Sequence, residues 1–174
     1  MSFAESSNHC TKHYSRYLGI DPGLNRTGYA LLERRGDRPV LLEGGIVRSA
    51  PKDSLQHRVH EIAMGIREIV DELAPGVVAM EQIFSHGRNL KTALQLAHVR
   101  GAILATLADA SISVVHYSPT QIKRLLTGSG RAPKEQIQRA VRAELKLAEL
   151  PEPNDVADAS AVALCLYHSV RVAV

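Results

Sequence analysis

The segment Tyr17-Leu-Gly-Ile-Asp-Pro-Gly23 ends a short apolar run on a single carboxylate and then stops it. Leu18, Ile20 and Tyr17 read as a buried strand. Pro22 removes a ladder donor and Gly23 allows a sharp reversal, so Asp21 is expected at the rim of a sheet. Sites are usually built there. Two further segments repeat the device: Val77-Val-Ala-Met80 runs into Glu81, and Asp155 and Asp158 open an apolar helix. Three distant segments, each carrying an acid to the end of an apolar element, constrain the chain more than any other feature.

The remaining elements fall around these three. Tyr17–Asp21, 27–33 and 40–47 read as strands joined by short turns, which implies antiparallel neighbours. Ser54 is a suitable N-cap for a helix over about 55–73, where Leu55, Val59, Ile62, Ile66, Ile69, Val70 and Leu73 form one apolar stripe. Pro75-Gly76 ends that helix. The continuous apolar character of 77–81 predicts a strand buried on both faces. A helix over about 89–108, a strand over 113–117, a short helix capped by Ser118, a helix from Pro133 to about Leu147, and a final helix capped by Asn154 or Asp155 complete the order. The expected class is α/β, with order β-β-β-α-β-α-β-α-α-α. Three antiparallel strands are followed by crossovers that add two parallel ones. Residues 1–16 are polar and aperiodic and read as a mobile extension, with His9, Cys10 and His13 a stray cluster.

Composition narrows the class. A chain of 174 residues that is 45% hydrophobic and 22% charged fits one folded domain, here 17–174. No apolar run approaches the roughly 18 residues of a membrane span. Two cysteines are too few for a disulfide framework and imply a reducing cytoplasm. The formal charge is +3; with four acids neutralised in a metal site, the rest of the chain would carry about +7, which suits a polyanionic partner.

Asp155 and Asp158 stand three apart, so a helix puts them on one face of its first turn. Acids there also serve as caps and complement the helix dipole. Asp158, however, leads into Ala159-Ser-Ala-Val-Ala163, small residues that let a helix lie close to a sheet. Four carboxylates brought together without cations would repel one another. Hard oxygen donors of this kind call for Mg²⁺ or Mn²⁺.

The pattern Leu18-Gly-Ile-Asp-Pro-Gly23 with Thr27-Gly28, then Glu81-Gln82 with Phe84, then Lys123, Lys134 and Asp155 with Asp158-Ala159, resembles the RuvC family of Holliday-junction resolvases. The likeness runs from about Tyr17 to His168. It implies a ribonuclease-H-like fold, a homodimer, and paired nicking of four-way DNA junctions in recombination and repair, alongside a branch-migration helicase complex. It also implies that Asp21, Glu81, Asp155 and Asp158 are catalytic metal ligands. Two-metal hydrolysis, with Asp21 bridging two cations roughly 3.5–4 Å apart, is the expected chemistry.

Lys123 with Arg124, and Lys134 beyond Gly128-Ser-Gly-Arg131, are expected to hold DNA. A P-loop reading of 128–134 fails, because Pro133 stands where glycine is needed and Glu135 replaces Ser or Thr. Phe84, a rare aromatic three residues past a catalytic acid, is expected either to stack on an unpaired base or to anchor its loop. His86, Arg88 and Lys91 read as phosphate contacts. Ala93, Ala97, Gly101 and Ala105 form a small-residue stripe on a helix that is apolar on nearly every side, and the surplus reads as a two-fold dimer contact through 89–108. Other functions remain open at this point: a junction-binding protein without catalysis, an actin-like phosphate-binding lobe, and a nuclease of the same fold acting on RNA–DNA hybrids.

Overall fold

The computed structural model describes residues 14–82 and 90–170. Ten elements follow in chain order: β1 (Arg16–Asp21), β2 (Arg26–Arg35), β3 (Arg38–Arg48), α1 (Leu55–Leu73), β4 (Val77–Glu81), α2 (Leu90–Asp109), β5 (Val114–Tyr117), α3 (Pro119–Thr127), α4 (Lys134–Glu144) and α5 (Asn154–Ser169). The five strands form one sheet in the order β3-β2-β1-β4-β5. β1, β2 and β3 pair antiparallel, while β4 joins β1 and β5 joins β4 in parallel, as expected from the short turns and the later helical crossovers.

Side-chain alternation explains why the central strands are apolar throughout. Leu18 and Ile20 of β1 and Val78 and Met80 of β4 pack under α1 and α2, with Ile62, Ile66, Val99 and Ile103. Tyr17 of β1 and Val77 and Ala79 of β4 face the other way, onto α3, α4 and α5, with Ile122, Val141, Leu164 and Leu166. Two helical layers therefore cover both faces of the sheet, and a strand buried twice has no polar side to show.

α5 is the pivot of the second layer. Its residues from Val156 to Tyr167 are buried apart from Asp158. It comes this close because of what the sheet omits: a Cβ on Gly19 would stand 2.2 Å from the Ala159 carbonyl oxygen and 2.8 Å from the Ala163 Cβ. Glycine on the strand and alanine on the helix together remove the usual gap between the layers.

Several boundaries differ from expectation; β2 and β3 run longer, over Arg26–Arg35 and Arg38–Arg48 against the expected 27–33 and 40–47. β1 opens at Arg16, whose backbone pairs opposite Glu33. α4 stops at Glu144, ahead of Lys146, which takes a left-handed φ of 52°. α5 has no side-chain cap: Pro153 holds the N-cap position, so Asn154 and Asp155 fall inside the first turn. A proline with φ of −70° fits that position without offering a side-chain acceptor. By contrast, Ser54 and Ser118 cap α1 and α3 as expected, Ser118 in a full capping box.

Candidate active site

The parallel register of β1 and β4 ends on the pair Ile20 and Met80, so the next residues, Asp21 and Glu81, emerge side by side at one end of the sheet. Each leaves its strand differently. After Asp21, the Thr27 hydroxyl donates to the Gly23 carbonyl at 2.8 Å and accepts from the Gly23 N–H at 3.2 Å, which closes the turn. The Ser49 hydroxyl donates to the Leu24 carbonyl, and Arg58 donates to the Asn25 side chain, tying the turn to β3 and α1. After Glu81, the Gln82 N–H extends the ladder to the Tyr117 carbonyl at 2.8 Å.

Asp155 and Asp158 reach the same end from the first turn of α5. A cavity of about 300 Å³ forms there, and its lining includes Asp21, Glu81, Asp158, Lys123 and Lys134, with Ile122 and Val162 supplying apolar wall. Thus three of the four expected acids and two of the three expected lysines line one cavity. Asp155 is not part of the lining; its Oδ2 accepts from Arg26 Nη2 at 2.5 Å. Lys134 Nζ donates to Asp158 Oδ2 at 2.8 Å.

The electrostatics record the crowding. Burial, then the Asp158, Glu81 and Asp155 carboxylates in that order, push Asp21 up to about 7, with Lys134 opposing them. Burial raises Glu81 as well, with Asp158 adding to it and Arg100, Lys123 and Lys134 pulling it back. The hydrogen bond to Asp158 leads the causes that hold Lys134 above the usual lysine value. An anionic cluster whose acids resist ionisation needs positive charge.

Among the described residues, no three His, Cys, Asp or Glu side chains stand close enough together to hold a metal ion. Arg26 and Lys134 hold oxygens of the two helix acids in ion pairs. The donor set itself fits a hard divalent cation, since the lining supplies only carboxylate oxygens and neither thiol nor imidazole.

Other expected contacts divide. Lys91 is exposed on the first turn of α2. Arg124 is exposed next to Lys123, and it does not line the cavity. Phe84, His86 and Arg88 lie outside the described residues, as do His9, Cys10 and His13. Two cations were missed by sequence reasoning. Arg26 pairs with Asp155 across 129 positions, which no local pattern reveals. Arg100 sits in the middle of α2, where it donates to the Glu81 carbonyl and, at 3.2 Å, to His116 Nδ1. A lone arginine inside an apolar helix was a signal, because such a charge enters a packed layer only with partners.

Comparison with known proteins shows the family. The family described as crossover junction endodeoxyribonuclease RuvC matches residues 17–166. Over 148 residues the chain is 49% identical to the crossover junction endodeoxyribonuclease RuvC of Rhodopirellula baltica, covering 85% of this chain and 83% of that one. Its identity to the protein of the same name from Heliobacterium modesticaldum is 44%, covering 88% and 94% of the two chains. The solved structure of Thermus thermophilus RuvC in complex with Holliday junction substrate superposes with a TM-score of 0.83 at 32% identity, covering 91% of this chain and 96% of that chain.

Proposed function

The chain belongs to the RuvC family of crossover junction endodeoxyribonucleases, and on that premise we propose how its acidic cavity resolves four-way DNA junctions. It is a ribonuclease-H-like, structure-selective endonuclease of recombination and repair that cuts phosphodiester bonds, and its family depends on divalent metal. The observation that carries the residue-level reading is the convergence of Asp21, Glu81 and Asp158 on one cavity with Lys123 and Lys134.

Asp21, Glu81, Asp155 and Asp158 would hold the Mg²⁺ or Mn²⁺ ions. Divalent cations held there would supply a lowered pKa for the attacking water and charge compensation for the phosphate and the leaving 3′ oxygen. The chain does the rest. Asp21 and Glu81, fixed by adjacent parallel strands, set the position of the scissile phosphate relative to the sheet end. Lys123 and Lys134 face them across the cavity, where each ammonium compensates a non-bridging phosphate oxygen as negative charge grows. Ile122, Ile137 and Val162 exclude bulk water from one wall, which strengthens those contacts. Arg124 and Lys91, and by the family resemblance Phe84 and Arg88, would contact the DNA.

Paired symmetric nicks require two cavities, and α2 supports a homodimer. Ala97, Gly101 and Ala105 are exposed, nothing stands within 4 Å of a Cβ placed on Gly101, and Leu90 and Leu94 are 66% and 54% exposed. A second copy laid against this stripe would present two sites to a two-fold junction. The resemblance extends to work beside a branch-migration helicase complex. No helix among the described residues is long and apolar enough to cross a membrane, and the buried free thiol of Cys165 fits a reducing cytoplasm.

The test is cleavage of a synthetic four-way junction, a linear duplex and an RNA–DNA hybrid, each with and without Mg²⁺ or Mn²⁺. Symmetric, metal-dependent cuts confined to the junction are expected. Binding without cleavage, or equal cutting of all three substrates, would overturn the reading.

A further inference from the structure

Asp155 is the one acid of the four that does not line the cavity, and the structure gives the reason. Arg26, the first residue of β2, holds its Oδ2 at 2.5 Å. Arg26 is not placed there for want of another position. In the β2–β3 ladder it stands opposite Arg48, and two like charges directly across an antiparallel pair are unfavourable. The Asp155 carboxylate offsets that cost. Behind it the backbone has no slack: a Cβ on Gly28 would stand 2.3 Å from the Asp155 carbonyl oxygen and 2.7 Å from its carbonyl carbon. The turn of helix is therefore seated on the sheet, and the Asp155 side chain is the part free to change direction.

We propose that Arg26 is a positioning residue that competes with the divalent cation for Asp155. In the metal-free chain the guanidinium keeps that carboxylate turned out of the cavity; loading the site exchanges Arg26 for metal. The exchange raises the cation concentration needed to assemble the site, and it frees the Arg26 guanidinium from its ion pair. Lys134 cannot serve the same purpose, since it already lines the cavity and pairs with Asp158 inside it. This inference rests on the reading above that Asp155 is a metal ligand.

The test is calorimetric titration of the full chain with Mn²⁺ in the absence of DNA, on R26Q, R26K, D155N and the double variant R26Q/D155N. An exposed ion pair that must be broken, together with a cation near a divalent site, predicts Mn²⁺ binding about three- to tenfold tighter in R26Q. R26K, which keeps the charge, stays near the parent. D155N binds more weakly, and R26Q adds no tightening to it. Thermal unfolding without metal checks that R26Q folds like the parent. Binding by R26Q that is equal to or weaker than the parent, while D155N is weakened, overturns the exchange and leaves the ligand assignment standing. Unchanged affinity in D155N overturns both.

Discussion

Gly28 lies directly against the backbone of Asp155. A Cβ placed on it would stand 2.3 Å from the Asp155 carbonyl oxygen, closer than real atoms approach. Gly28 is also the register partner of Asp21 in the β1–β2 ladder. One glycine thus ties the strand acid to the helix acids, and their separation is set by backbone contact. Changing Gly28 to alanine should push the first turn of α5 off the sheet. We expect a loss of about 1–3 kcal/mol in urea unfolding, as for other overpacked positions. Mn²⁺ affinity should fall with it.

Asp21→Asn removes the proposed shared ligand while keeping size and hydrogen-bonding capacity. Junction binding, measured by gel shift in Ca²⁺, should stay within a few-fold. Cleavage should drop at least about a thousandfold, the scale on which metal ions stabilise transition-state charge.

Stability should depend on pH in a direction opposite to that of most carboxylates. Asp21, raised from 3.8 to about 7, holds a proton in the folded metal-free chain that it has lost in the unfolded one. Between those values the folded state binds more protons, so stability falls as pH rises and levels off above about 7. Glu81 shifts in the same direction. Divalent cations need the ionised forms, so metal should cancel the loss. Thermal unfolding at about pH 5 and pH 8, with and without Mn²⁺, should show the metal-free chain weakening by a few kcal/mol at the higher pH and the loaded chain holding.

Leu94 is 54% exposed on α2, so Leu94→Asp should leave the monomer's fold intact. Light scattering should report a shift from dimer to monomer. Junctions should then accumulate single nicks in place of paired cuts. A variant that remains a dimer would move the interface elsewhere.

Much of this was legible in the sequence because it is local. Strands buried twice are apolar twice, as in 77–81, and the stripe of α1 follows from spacing alone. Asp21 stands out because Pro22 and Gly23 mark the end of its run, and Asp155 and Asp158 because they open an apolar helix after a proline-rich linker; Glu81 is marked only by the end of its apolar run. What was not legible depends on contacts between remote positions. The missing side-chain cap on α5 follows from Pro153 taking the N-cap. Arg26 and Arg100 owe their roles to strand register and to the packing of α2 over the sheet, where each finds an acid or carbonyl far away in sequence. Spacing could place Asp155 and Asp158 on one turn, but it could not show that cations from this chain already hold them.

The central claim is that these acids share a pair of divalent ions, and diffraction from crystals soaked in Mn²⁺ tests it most directly. Anomalous difference density should show two peaks roughly 3.5–4 Å apart, with Asp21 between them and Glu81 and the first turn of α5 on either side. An Asp21→Asn crystal should lose at least one peak. Density absent from this cavity at saturating Mn²⁺, or found only away from Asp21, would contradict the account.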